Sequence, residues 1–267
     1  MKGPKKLIES EDHWVTNMGA WFPGERVILR GKDLFHDLKD LNWIGLLTYG
    51  VTGRVFSEKQ LRLFEGLWML TTSYPDPRLW NNRVAALAGT NRSTRTLGVS
   101  AAIAVSEARI YGHGTNVRTL DFLLRTKKHL DDGIELTELI LDELHKYRVV
   151  SGYGRPIVNN DERIVAVVRL AEELGFAEGE YVKLAFQIEK ILLEGRWRMR
   201  MNIGALNAAL VADQGLNINE YHLLSIPSFI AGIIPCIFDT MEKPAGSFFP
   251  LRCNRLKYGG KSRRVWK

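Results

Sequence analysis

Ser57-Glu58-Lys59-Gln60-Leu61-Arg62-Leu63-Phe64-Glu65-Gly66-Leu67-Trp68-Met69-Leu70 is the stretch that decides the fold class. Ser57 and Gln60 stand three apart, the spacing at which a hydroxyl and a side-chain amide each satisfy a free backbone N–H at a helix start. Behind them Leu61, Leu63, Phe64, Leu67 and Leu70 recur at helical intervals, so one face is apolar and needs a core to pack on. The same period runs outward in both directions. Toward the N-terminus, Asp33–Leu38 reads as a short helix capped by Asp33, and Asn42–Tyr49 as another. Toward the C-terminus, Arg83–Ala108 is rich in small residues, with Gly89 and Gly98 inside it, as expected of closely packed helices. Thr119–His129, Leu136–Tyr147, Asp161–Leu174, Gly179–Leu193 and Ala205–Gln214 continue the pattern. Strands are expected only where Trp14-Val15-Thr16 and Arg26-Val27-Ile28-Leu29 flank Pro23-Gly24, as one small hairpin. The chain therefore reads as all-α, and with neither an internal repeat nor a low-complexity linker, a second lobe would have to be inserted rather than appended.

At 267 residues, 45% hydrophobic and 25% charged, the chain has the composition of a globular protein with a sizeable core. Its longest apolar run, Leu223–Phe238, is interrupted by Pro227, Ser228, Gly232 and Pro235 and reads as a buried core helix, so no membrane partner is expected. Met1–Asp12 is basic and then acidic without the apolar stretch of a secretory signal, which makes the cytoplasm the expected compartment. Cys236 and Cys253 form neither a disulfide framework nor a metal-ligand spacing, so no metal is expected. The net charge of +7 concentrates in Arg196, Arg198 and Arg200 and in the tail from Arg252 and Arg255 to Lys267. No helix-turn-helix, zinc-finger or base-stacking pattern accompanies it. A polyphosphate or acidic small molecule accounts for this charge as economically as nucleic acid does, and so does a solvated basic tail.

Four stretches and a tail, in order along the chain, resemble the citrate synthase and citryl-CoA lyase family. They are Arg30-Gly31-Lys32-Asp33-Leu34 with the turn Gly53-Arg54-Val55-Phe56-Ser57; Asn82-Arg83-Val84 through Thr90 with Tyr111-Gly112-His113-Gly114-Thr115-Asn116; Gly152-Tyr153-Gly154-Arg155 with Asp161-Glu162-Arg163; Glu189-Lys190-Ile191 through Met201-Asn202-Ile203-Gly204; and Leu251–Gly259. The resemblance implies a two-lobed helical fold, with a large domain in two parts, 1–116 and 202–267, and a small inserted domain, 117–201. It also implies a homodimer and an acyl-CoA substrate, with coenzyme A carried as the thioester.

Carbon–carbon chemistry beside a thioester needs a carboxylate to remove a proton, a group to steady the enolate oxygen, and a second acid–base group on the partner. This sequence departs from the family at each place. Gly112 takes the first His position unless a one-residue shift puts His113 there. His113 is the acid–base candidate, or else a histidine that caps a glycine turn. Arg155 replaces the second His; guanidinium keeps its proton near neutral pH, so it can clamp or polarise but not shuttle. Its alternative is a structural pair with Asp161 or Glu162. Arg163 matches the arginine that grips a substrate carboxylate. Asn202 is retained, but Gly204 stands where the general base would be, and Phe229 stands in place of a substrate arginine. By resemblance Arg163, Asn202, Arg252 and Arg255 bind substrate, while Gly112, Gly114, Gly152 and Gly154 let backbone approach coenzyme A. Three functions remain open: making or breaking a carbon–carbon bond with another base, drawn from His113, Asp161 or Glu107, which is the preferred reading; non-catalytic binding of coenzyme A or carboxylates; and, least supported, nucleic-acid binding through the basic tail. The second would suit a sensor or a partner subunit of an active paralogue.

Overall fold

The computed structural model describes residues 4–13, 15–108, 111–155, 160–248 and 252–262. Among them are eleven α-helices and one small antiparallel sheet. The sheet runs β1 (Gly19–Phe22), β2 (Arg26–Leu29) and β3 (Lys32–Asp33), with Gly19 opposite Leu29 and Phe22 opposite Arg26. The strand Arg26–Leu29 is where the sequence places it, but its partner is Gly19–Phe22 and not the 14–16 segment, of which Trp14 lies outside the described residues. The reason is the turn: Glu25 N–H bonds Phe22 carbonyl at 3.0 Å, which closes the chain tightly around Gly24 and leaves only the adjacent residues in register.

The short helix expected at Asp33–Leu38 is a turn instead. Asp33 does accept from the Phe35 and His36 N–H groups at 2.8 and 3.0 Å, as a cap would. Its own N–H, however, donates to the Asp37 carboxylate at 2.8 Å, and this local closure competes with a helix too short to stand alone.

The helices otherwise follow the apolar period. Helix α1 is Pro4–Glu9 and buries nothing. Helix α2 (Trp43–Thr52) is capped by Asn42, whose side chain accepts from Gly45 N–H. It ends at Gly53, whose φ of 73° suits glycine, while Arg30 donates to the Gly50 and Val51 carbonyls of the last turn. Helix α3 (Glu58–Leu70) has the reciprocal Ser57–Gln60 capping box. Then come α4 (Trp80–Thr90), α5 (Arg95–Ser106), α6 (His113–Asp131), α7 (Leu136–Tyr147), α8 (Arg163–Leu174), α9 (Glu180–Glu194), α10 (Ile203–Asp213) and α11 (Ile218–Met241). A short 3-10 turn, Cys253–Arg255, follows.

The chain packs as two compact units, Met1–Thr71 with Thr115–Ser225, and Thr72–Gly114 with Ile226–Lys267. These boundaries differ from the 1–116, 117–201 and 202–267 division that the resemblance implies. In the first unit every residue of α10 from Ile203 to Ala212 is buried, so this helix is the axis on which Leu120, Leu123, Val167, Ile188 and Leu192 collect. In the second unit small residues set the spacing. Gly89 lies so close to Thr240 and the Ile237 carbonyl that a methyl group there would overlap both, and a Cβ at Gly98 would stand 2.8 Å from that of Ala88. The apolar run of α11 buries Phe229, Ile233, Cys236 and Ile237 in that unit, as a core helix does. By length and composition α11 could cross a membrane, but half of its most apolar stretch is buried within the protein.

Candidate functional site

The residues singled out by sequence fall into two groups, one in each unit. The first group is built on the start of α10. Gly152 and Gly154 hold φ values of 88° and 83°, a conformation that glycine adopts without strain. This lets the 152–154 segment lie against 200–202: Asn202 N–H donates to Gly152 carbonyl at 2.9 Å, and Gly154 N–H to Arg200 carbonyl at 2.7 Å. The Asn202 amide does two jobs. Its oxygen caps α10 by accepting from Gly204 N–H, and its nitrogen donates to Gly154 carbonyl, both at 2.9 Å. The Cα of Gly152 packs so closely that a Cβ there would stand 2.6 Å from Thr119 and 2.8 Å from Ala205.

Asp161 is the hub of this group. Its side chain is fully buried, and it accepts from Ile203 N–H at 3.0 Å at the N-terminus of α10, where the helix dipole favours an anion. Arg163 forks onto both carboxylate oxygens, each at 2.8 Å. Burial by itself would raise the Asp161 pKa, but the Arg163 guanidinium together with the Ile203 and Arg163 amides outweighs it and holds the carboxyl down at about 2. Arg155 lies alongside, 2.6 Å from Glu162 and 3.9 Å from Asp161, and also donates to Asn160 carbonyl at 3.0 Å. The pairings of Arg155 and Arg163 are thus with acidic neighbours a few residues away. A carboxylate with three such donors is a poor proton acceptor, which removes Asp161 from the alternative bases.

Gly204, which the resemblance sets at the position of a general base, is buried and capped over by amides. A Cβ built on it would stand 3.0 Å from the oxygen of Asn202 and 3.4 Å from that of Asn116, on the first turn of α6. Asn116 closes the motif that begins at Tyr111, yet sequence reasoning gave it no role. The amide type at that position was the available signal.

The second group surrounds His113. Gly112, with φ of 69°, is pressed against the Ser106 carbonyl and the Phe229 ring, so its Cα faces protein. Gly114 lies inside the first turn of α6 rather than in a free loop. The His113 imidazole is 1% exposed, with its ring centre 4.1 Å from that of Phe229. Tyr111 leans on Trp80, and its hydroxyl is 3.4 Å from Asn81, which donates to the Ser73 hydroxyl at 2.9 Å. Asn81 and Asn82 are both fully buried, and Asn82 donates to Tyr74 carbonyl. This amide–hydroxyl network went unread in the sequence. Its signal, the Asn81-Asn82 pair in the first turn of α4, is visible there. Glu107 is exposed at the end of α5, and Arg252 and Arg255 are exposed around the 3-10 turn.

The order of the helices and their packing define a citrate-synthase-like helical fold. Among solved structures, the citryl-CoA lyase from Hydrogenobacter thermophilus matches 96% of this chain with 98% of its own, with a TM-score of 0.82 at 16% sequence identity. The ATP citrate lyase from Methanosaeta concilii in complex with (3S)-citryl-CoA matches with a TM-score of 0.76 at 16% identity, over 98% of this chain but only 45% of that one. The citrate synthase from Thermotoga maritima matches with a TM-score of 0.65 at 16% identity, over 86% and 60% of the two chains. The chain therefore spans less than half of the ATP citrate lyase and less than two thirds of the citrate synthase, but nearly all of the lyase from Hydrogenobacter. No protein-family model matches the sequence, and no curated protein matches it either.

Proposed function

We propose that this protein binds a coenzyme A thioester and a carboxylate partner in a citrate-synthase-like fold, without the proton abstraction by which such a thioester is enolised. The observation that carries this reading is the state of the α10 N-terminus. Gly204 offers no carboxylate there, and the one buried carboxylate nearby, Asp161, is held as an anion by Arg163 and Ile203 N–H. Removing a general base typically costs a factor of about 100 to 10,000 in rate. Coenzyme A as ligand is supported by two ATP citrate lyases of the same fold, described in complex with (3S)-citryl-CoA and with citrate and coenzyme A. In this reading Arg155, whose partner Glu162 is itself exposed, exchanges that pairing for the carboxylate partner. The cytoplasm, a homodimer, or a mixed oligomer with an active paralogue completes the proposal, with 117–201 as the inserted lobe.

A second reading, carbon–carbon bond formation or cleavage by an altered mechanism, as a transferase or a lyase, is favoured by His113. It is an imidazole sealed from water at the head of α6, where it would act as the acid–base group. One experiment separates the two. Calorimetric titration with coenzyme A, acetyl-CoA and citrate, followed by a turnover assay over a panel of acyl-CoA thioesters, should give binding without product. Turnover abolished by His113→Ala would establish the second reading, and binding of none of the three ligands would overturn both.

A further inference from the structure

Arg196, Arg198 and Arg200 follow α9 at every second position, and all three are exposed, while Trp197 and Met199 between them are half-buried and packed against the core of their unit. Local bonds fix this segment. A Cβ on Gly195 would stand 2.7 Å from the Trp197 ring, so glycine there lets the ring fold back. Gly154 N–H donates to the Arg200 carbonyl at 2.7 Å, and Met201 N–H to the Glu189 carboxylate at 2.9 Å. Arg196 lies over the Trp197 ring, 5.3 Å from its centre, and among the described residues none of the three guanidinium groups meets an acid or a carbonyl. Glu194 is the one acid in residues 194–200, against three cations. Arg198 has a φ of 49°, in the left-handed region that a residue with a Cβ enters at a cost. Arg30 and Arg92 share that conformation, but their guanidinium groups close helix ends, Arg30 on the Gly50 and Val51 carbonyls and Arg92 on those of Gly89, Thr240 and Lys243. Arg148 shares it as the residue that ends α7. Arg198 ends no helix and gains no such bond; its conformation keeps a third cation in water between two side chains that pack on the core.

We infer that residues 196–200 form a nucleic-acid-binding stripe, which meets the phosphodiester backbone through three guanidinium groups and reads no base sequence. Guanidinium is planar and forks onto phosphate oxygens, and an anchored stripe spends little entropy in presenting it. A lipid surface would call for apolar side chains to insert, and a folded protein partner for an apolar anchor at the centre of the contact. Here the apolar members of the segment, Trp197 and Met199, are engaged with the protein's own core, and what faces outward is charge. Phosphate contacts of this kind give affinity and register without base recognition. The stripe stands apart from the thioester reading and does not depend on it.

The test is fluorescence anisotropy of labelled mixed-sequence oligonucleotides, as single-stranded RNA, single-stranded DNA and duplex DNA, titrated with the full chain over a range of salt. Binding in any of these arms supports the stripe and names the source of the phosphates. Arg196→Ala, Arg198→Ala and Arg200→Ala combined should weaken binding roughly tenfold or more and make the dependence of log affinity on log salt shallower by about 2 on single strands, the share of three phosphate contacts. Changing the same three positions to Lys should keep most of the affinity, since a phosphate accepts a point charge as well. A control that removes as much charge elsewhere on the same unit, Lys39→Ala, Lys59→Ala and Arg169→Ala combined, all exposed, should change affinity less than about twofold. Equal loss in the two alanine sets would mean that bulk charge alone binds, and it overturns the stripe. So does wild-type protein that binds no oligonucleotide, and so does free coenzyme A that displaces the oligonucleotide one for one, which would assign these arginines to the coenzyme.

Discussion

A buried carboxylate such as Asp161 is tolerable only because three donors meet it, and that arrangement makes its protonation visible in stability. The unfolded chain protonates this side chain near its ordinary value of 3.8, the folded chain only at about 2. Above pH 4 the carboxylate is ionised in both states and its stabilisation, about 2 kcal/mol, is present in full; it is lost as the pH falls from about 4 toward 2. Denaturant melts as a function of pH should show this loss in the wild type and not in Asp161→Asn. At pH 7 that variant should be less stable by about 3–5 kcal/mol, because the buried fork of Arg163 loses the carboxylate charge that it meets. The two arginines were legible as the charged members of the site, and the pairing of Arg155 with Glu162 stood among the readings the sequence left open. The sequence could not say that Arg163 turns to Asp161, two residues before it, since an Asp-x-Arg spacing permits the fork as readily as it permits a free guanidinium.

Helices with one apolar stripe were read closely from their spacing. Leu136–Tyr147 matches the structure at both ends, and the Ser57–Gln60 box marks the start of α3 as expected. Where local hydrogen bonding competes with a helix, spacing misleads, as at Asp33–Leu38, where Asp37 takes the Asp33 N–H. The first strand was misplaced because β pairing is set by the turn it abuts, and Phe22 opposite Arg26 leaves no choice of register. Small residues carried more meaning than their composition suggested. Gly89 is where α4 meets the Cys236–Thr240 turn of α11, and Gly89→Ala should cost about 1–3 kcal/mol by overpacking against backbone that cannot rotate away. A lowered denaturant midpoint with an unchanged slope is the expected result. In α10, whose residues from Ile203 to Ala212 are all buried, Leu206→Ala should cost about 2–5 kcal/mol, more than any comparable change on the exposed face of α7.

The two-unit helical molecule keeps the fold of citryl-CoA lyase and citrate synthase at 16% identity, and at that distance the fold alone carries across. The motifs were legible in order along the chain because they sit at turns and helix starts, where glycine, asparagine and arginine are dictated by backbone geometry. Gly152 with its φ of 88° and Asn202 as the cap of α10 are examples. The site chemistry is harder to read, because a fold maintains such turns whether or not a base is present. The proposed function therefore turns on whether anything in this protein can take a proton from the carbon beside a thioester. The measurement is NMR of acetyl-CoA incubated with the protein in D2O, with and without a carboxylate partner such as citrate. Acetyl-CoA that binds but keeps its methyl protons at the rate of the protein-free control is the predicted result. Deuterium entering the methyl group faster than that control would contradict it.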